Sequence, residues 1–238
     1  MTSVPAPTPQ RPDAVVFDVV ETLFSLDAVG AALDRAGVGA GLLDLFFARM
    51  LRDAFALGSV DEYRPFRELA GSALTVVAPS LGPDDVDTVL GAFGDLGMHP
   101  DVAPAVARLQ QADIRIAALT NGSATNTQRL LEQHGVADAF EAIVSVDEVR
   151  TWKPRPAPYR YVADRLGLDR HRVAMVAVHA WDLHGARRAG LLTGWAGRLE
   201  HTWTEVFAAP DVTGWDLVDV VDELLALPDD TAQTPDAS

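Results

Sequence analysis

The sequence predicts an α/β fold built on a parallel sheet. Three observations carry this. Short continuous apolar runs recur along the chain, helix-period segments separate them, and each run ends in polar residues capable of chemistry. A strand that is apolar on both faces is buried on both faces, as in a sheet covered by helices. Regular alternation of strand and helix then calls for parallel strands joined by helical crossovers.

The first strand is Ala14-Val15-Val16-Phe17. After it comes a long stretch with helix-period apolar residues at 42–57, 62–77 and 83–96 and no strand signal. We read residues 26–98 as a helical cap inserted after strand one. A helix at 102–111 leads to the second strand, 114–119, and a helix at 124–134 leads to the third, 142–146. The fourth strand, 173–178, follows a helix at 158–166. A weaker fifth, 191–196, follows a helix at 181–189. Residues 13–25 and 99–227 are therefore expected to form the α/β core. Residues 1–12 and 228–238, polar and rich in Pro, are expected to be disordered or flexible tails.

Composition narrows the function. The 238 residues include 19 Lys plus Arg against 34 Asp plus Glu, a net charge of −15. This balance argues against a nucleic-acid partner, which needs a basic face, and against an anionic membrane surface. Cys is absent, so disulfides, thiolate metal sites and Cys nucleophiles are excluded. No apolar run is long enough to span a bilayer, and residues 1–12 lack the apolar stretch of a signal peptide. A soluble, cytoplasmic protein is the expectation. One of the 19 basic residues, Lys153, is Lys and the rest are Arg.

In open parallel sheets the ligand crevice lies at the carboxyl ends of the strands. Those ends hold Asp18, Thr22, Thr120, Asn121, Lys153, His179 and Asp182. An Asp closing an apolar strand is costly to bury unless paired, and Lys153 is able to pair with it.

Phe17-Asp18-x-x-x-Thr22-Leu23, Leu119-Thr120-Asn121-Gly122-Ser123, Lys153-Pro154 and Ala180-Trp181-Asp182-x-x-Gly185-Ala186 resemble, in order, the four motifs of the haloacid dehalogenase superfamily. The resemblance spans roughly residues 13 to 225 and is nearest the type II 2-haloacid dehalogenases. It implies a Rossmann-like core with a cap after strand one. It also implies hydrolysis of a small halogenated carboxylic acid through a covalent aspartyl ester, an anionic small-molecule substrate, and no cofactor.

Under that resemblance Asp18 is the nucleophile, splitting one hard displacement into two easier steps. Lys153 offsets charge beside it. Thr22 and Thr120 hold oxygens of the nucleophile or of the substrate, although Thr at such junctions also caps turns. Asn121 offers an amide toward the leaving anion, or caps a helix. Asp182 orients Lys153 or helps to activate the hydrolytic water, or caps the helix beginning near Trp181. Tyr159 belongs to the substrate-binding set by the resemblance.

Three departures stand out. The dehalogenases carry Asn where this chain has His179, and a small hydroxyl residue where it has Ala177. A His at a strand end is suited to act as general base. The superfamily's phosphatases carry a second Asp where this chain has Val20, which disfavours Mg²⁺-dependent phosphatase chemistry. The cap Arg that holds halide in the dehalogenases falls near Phe46 and Phe47, with Arg49 and Arg52 on other faces of the helix. Phe47 then lines an apolar substrate pocket or belongs to the cap core. The alternatives are a divergent hydrolase, either a Mg²⁺-dependent phosphatase or one acting at another carbon centre, and a non-catalytic binding protein. A homodimer is compatible with an acidic chain carrying an apolar cap.

Overall fold

The computed structural model describes residues 9–229. Its centre is a sheet of six parallel strands: β1 (Ala14–Phe17), β2 (Arg115–Thr120), β3 (Ala142–Ser145), β4 (Val173–Ala177), β5 (Leu192–Ala196) and β6 (Val212–Gly214). They lie in the order β3-β2-β1-β4-β5-β6. The order reverses beside β1, which makes the β1/β4 boundary the topological switch point where such sheets bind ligands. Phe17 is in register with Ala118 of β2 and Val176 of β4, so the chain leaves β1 between the ends of both neighbours.

The helices are α1 (Asp27–Arg35), α2 (Leu43–Ser59), α3 (Phe66–Val77), α4 (Pro83–Gly91), α5 (Val102–Gln111), α6 (Ala124–Gln133), α7 (Pro156–Leu166), α8 (Ala180–Ala189) and α9 (Leu217–Leu225). Alternate residues of β1 face two cores, as the period of two requires. Val15 and Phe17 join α5, α9 and the inserted helices, whereas Ala14 and Val16 join α7 and α8. The sheet is therefore covered on both faces, and all four β1 residues are buried.

The insert between β1 and β2 leaves and returns side by side, with Ser25 N–H donating to Gly97 C=O at 2.8 Å. Its helices share an aromatic centre in which Phe46 and Phe66 both pack edge-on against Phe93. It also grips the loops at the strand ends. Trp152 Nε1 donates to Arg64 C=O at 2.8 Å, Arg155 Nη1 donates to Gly58 C=O at 2.6 Å, and Phe55 packs against Trp181 with ring centres 5.1 Å apart.

The differences from the sequence reading have local causes. Helix α3 begins at Phe66 rather than Glu62, because Pro65 is extended at the N-cap and disfavours helix in the residue before it. Helix α4 stops at Gly91 and a 3₁₀ turn, Ala92–Gly94, follows. β3 ends at Ser145, whose hydroxyl and Glu148 cap the next turn reciprocally. β6, α1 and α9 were not assigned from the pattern. Most of the two expected tails lies outside the described residues. In the described part, Arg11 N–H donates to Pro228 C=O at 2.9 Å.

Candidate active site

Asp18 follows directly on β1, and its N–H extends the ladder to Val176 C=O at 3.0 Å. The strand thus fixes the backbone and aims the carboxylate at the crevice. Both carboxylate oxygens are held. Oδ1 accepts from Lys153 Nζ at 2.6 Å, and Oδ2 accepts from the Thr22 hydroxyl at 2.7 Å.

Lys153 is fully buried, and its ammonium has three donors for three acceptors. These are Asp18 Oδ1, Asp182 Oδ2 at 2.7 Å and Leu119 C=O at 3.1 Å. Burial works against the charge, but the two carboxylates outweigh it and raise the Lys153 pKa. Burial raises the Asp182 pKa, with Lys153 opposing and the like charge of Asp18 adding to it. The three groups form a buried chain, Asp18–Lys153–Asp182.

Thr22 does two jobs. Its hydroxyl donates to Asp18 and accepts from Val178 N–H at 3.2 Å, so it ties Asp18 to the end of β4. Thr120 Oγ1 accepts from Gly122 N–H at 2.9 Å, leaving its own proton to donate. Asn121 Oδ1 accepts from Lys153 N–H at 3.1 Å, so its amide is oriented with the NH₂ side as donor.

His179 lies between two acids. Nε2 is 3.1 Å from Glu21 Oε2, and Nδ1 is 3.9 Å from Glu200 Oε1. Glu200 also accepts from Ala180 N–H at 3.1 Å. Burial disfavours the imidazolium, but Glu200, Glu21 and the charge of Asp18 outweigh it and push the pKa up to about 10. A protonated imidazole has no lone pair with which to take a proton from water. The general-base role expected for His179 therefore does not fit this environment. The ring stacks on Trp181 at 5.4 Å, as a cation on an aromatic face.

Asp18, His179, Thr120 and Asn121 line one small cavity with Val20, Phe47, Met50, Leu51, Phe66 and Trp181. Of the expected residues, Phe47 faces this space, while Phe46 is buried against Phe93. Arg49 and Arg52 are not among the lining groups, and Arg52 pairs with Asp53. The cavity volume is about 20 Å³, near that of a single water, so an organic acid fits only after the wall moves.

Tyr159 departs from its expected place. It is fully buried, its hydroxyl lies 2.5 Å from Asp182 Oδ1, and it does not line the cavity. It positions Asp182 rather than touching substrate. Asp182 is likewise buried behind Lys153 and does not line the cavity. Gly185 allows this packing, since a Cβ there would lie 2.5 Å from Pro154 C=O and 2.7 Å from the Tyr159 hydroxyl.

Sequence reasoning missed Glu21, Arg198 and Glu200. Glu21 has φ of 66°, a left-handed conformation uncommon for a residue with a side chain. Arg198 donates to the carbonyls of Glu21 and Thr22 and pairs with Asp101 at 2.7 Å, holding that turn. Only the acid beside the Asp18 motif carried a signal in the sequence, through its closeness to the nucleophile.

The family profile of haloacid dehalogenase-like hydrolases matches residues 12–190. The chain belongs to this family. The haloacid dehalogenase-like hydrolase is 28% identical to haloacetate dehalogenase H-2 of Moraxella sp. (strain B), over 90% of this chain and 97% of that protein. It is 31% identical to the (S)-2-haloacid dehalogenase of Xanthobacter autotrophicus, over 78% of this chain and 75% of that protein. Its fold is similar to a crystal structure of the L-2-haloacid dehalogenase from X. autotrophicus with chloropropionic acid covalently bound. The TM-score is 0.82 and the identity 26%, covering 90% of this chain and 99% of that one. No helix among the described residues is long and apolar enough to cross a membrane.

Proposed function

We propose that this hydrolase cleaves the carbon–halogen bond of a 2-haloacid through a covalent ester on Asp18. The observation that carries the reading is the nucleophile itself. Asp18 is held at both oxygens by Lys153 and Thr22 and faces a largely apolar cavity with no second carboxylate at position 20.

In the first step an Asp18 oxygen attacks C2 of the acid. The C–O bond forms as the carbon–halogen bond breaks, and halide leaves with the electron pair. Apolar walls from Phe47, Met50 and Leu51 leave the carboxylate poorly solvated and favour displacement. The His179 imidazolium, the Thr120 hydroxyl and the Asn121 amide are the donors for the substrate carboxylate and the departing anion. In the second step water attacks the ester carbonyl, releasing a 2-hydroxyacid and a proton and restoring the Asp18 carboxylate. Esterification removes the Asp18 charge from Lys153 and leaves Asp182 as its remaining carboxylate partner. Asp182 keeps Lys153 in place through the second step; its oxygens are taken by Lys153 and Tyr159 and it does not line the cavity, so the water-activating part does not fall to it.

A divalent cation does not fit this set of donors. Lys153 already bridges Asp18 and Asp182, Tyr159 takes the other Asp182 oxygen, and the Val20 side chain offers no ligand. This disfavours the phosphatase alternative on chemical grounds.

The test is halide release from (S)-2-chloropropionate and bromoacetate, with and without EDTA. Release that survives EDTA and is lost in Asp18→Asn is the expected result. A single turnover in ¹⁸O-water should place the label in Asp18 and not in the product, which becomes labelled only in later turnovers, when a labelled Asp18 oxygen attacks. A folded protein that releases no halide from either acid would overturn the reading.

A further inference from the structure

Beside the Asp18 cavity lies a larger one of about 320 Å³. Val20, Phe66 and Thr120 line both, so the two spaces share a wall. The larger cavity is walled mainly by Val19, Leu90, Phe93, Leu96 and Leu130. Its two guanidinium groups are already engaged, Arg67 with Asp87 at 2.7 Å and Arg129 with Gly94 C=O at 3.0 Å. Its volume is about 320 Å³, against about 20 Å³ for the space at Asp18.

Pockets of this size with apolar walls and a few convergent polar groups are built to bury organic ligands. Thr120 is the polar side chain at the shared wall beside Asp18, while those of Ser123, Asn126 and Thr127 are engaged with backbone groups. Phe66 is the first residue of α3 and only half-buried, and its ring stands between the two spaces, packed against Phe93 and Trp152. We propose that the larger cavity receives the apolar 2-substituent of a haloacid longer than propionate, with the Phe66 ring as the partition that the substituent displaces. This rests on the haloacid reading above and names its substrate class. The reacting carbon and the carboxylate stay at Asp18 and His179, and the alkyl arm passes Val20 toward Leu90 and Leu130.

Gly91 supplies the control. It lines the larger cavity only, has helical angles (φ −62°, ψ −32°), and a Cβ built there meets nothing within 4 Å. Gly91 is exposed at the rim of that cavity, so Gly91→Leu adds a bulky side chain at its mouth without strain in the backbone.

The experiment compares halide release from 2-bromopropionate, 2-bromohexanoate and 2-bromooctanoate by the full chain, and binding of unreactive hexanoate and octanoate by calorimetry. The expected result is kcat/KM that rises with chain length, by up to about fourfold per methylene. Gly91→Leu should lower the octanoate-to-propionate ratio at least tenfold, and Phe66→Ala should raise it. Turnover of 2-bromopropionate with loss of activity on the longer acids overturns the arm cavity and leaves the haloacid reading intact. So does a ratio that Gly91→Leu does not change. Chain-length-dependent binding of the unreactive acids that Gly91→Leu abolishes, without halide release from any bromoacid, upholds the arm cavity and overturns the haloacid chemistry. Absence of both binding and release overturns both.

Discussion

Glu21 Oε2 lies 3.1 Å from His179 Nε2, and both residues flank Asp18. The pair joins the turn after β1 to the end of β4 across the switch point. It sets the charge of the imidazole, and therefore which half of the reaction that residue can serve.

The His179 pKa is pushed up to about 10, against about 6.5 for an unfolded His. A group whose pKa is raised on folding stabilises the protein fully below the unfolded value and loses that contribution as pH rises through the folded one. His179 should therefore add stability that is complete below about pH 6.5 and is lost progressively by pH 10. Urea unfolding between pH 6 and pH 10 should show this decline. His179→Asn should flatten it, and Glu21→Gln should bring the imidazole titration down in an NMR experiment. An imidazole that titrates near its ordinary value in the native protein would contradict the assignment.

Lys153 satisfies two buried carboxylates at once. Lys153→Met should abolish activity and destabilise the fold by about 3–5 kcal/mol, because it leaves buried charge uncompensated. Adding Asp182→Asn removes one of the two orphaned charges and should recover part of that loss. Additive effects in this cycle would mean that the two residues do not interact.

Thr22→Val keeps the shape and removes one donor and one acceptor. Asp18 Oδ2 and Val178 N–H lose their partner, which costs about 1–3 kcal/mol for a buried group left unsatisfied. Activity should fall on the order of tenfold to hundredfold, as expected for that energy expressed at the transition state. Thr22→Ser should restore most of it. Equal rates for the Val and Ser variants would sink this role.

Gly185→Ala drives a methyl into Pro154 C=O and the Tyr159 hydroxyl. The displaced loop carries Lys153, so kcat should fall more than KM changes, with a stability loss of about 1–3 kcal/mol. Steady-state kinetics on 2-bromopropionate and thermal unfolding would measure the two effects. A fall in stability alone would show that α8 gives way instead of the Lys153 loop.

The fold was legible where burial is two-sided. β1 and β4 stand in the sequence as unbroken apolar runs because helices cover both faces, whereas Arg115 interrupts the run of β2 and Thr193 and Gly194 weaken that of β5. β6 left no run, since it has three residues and Thr213 is exposed. The residues at the strand ends were legible because parallel topology brings them together whatever the loops between them do. Glu21, Arg198 and Glu200 come from irregular segments with no period to read, and they act through space. The charge of His179 depends on two of them, so its residue type alone suggested a base where its surroundings make a cation. The place of Tyr159 behind Asp182 depends on how closely α7 and α8 approach at Gly185, which no spacing in the sequence expresses.

The grip of Arg198 on the carbonyls of Glu21 and Thr22 also bears on the time at which the site can exist. Thr22 and Arg198 are 176 residues apart in the chain. At a ribosomal rate of about 5–20 residues per second, the turn beside the nucleophile waits roughly 9–35 s for the side chain that fastens it. By the end of that interval the nascent chain carries Asp18, Lys153 and His179. The acid on the far side of the imidazole, Glu200, is still to be made. The site is thus completed by a loop synthesised after every recognisable motif.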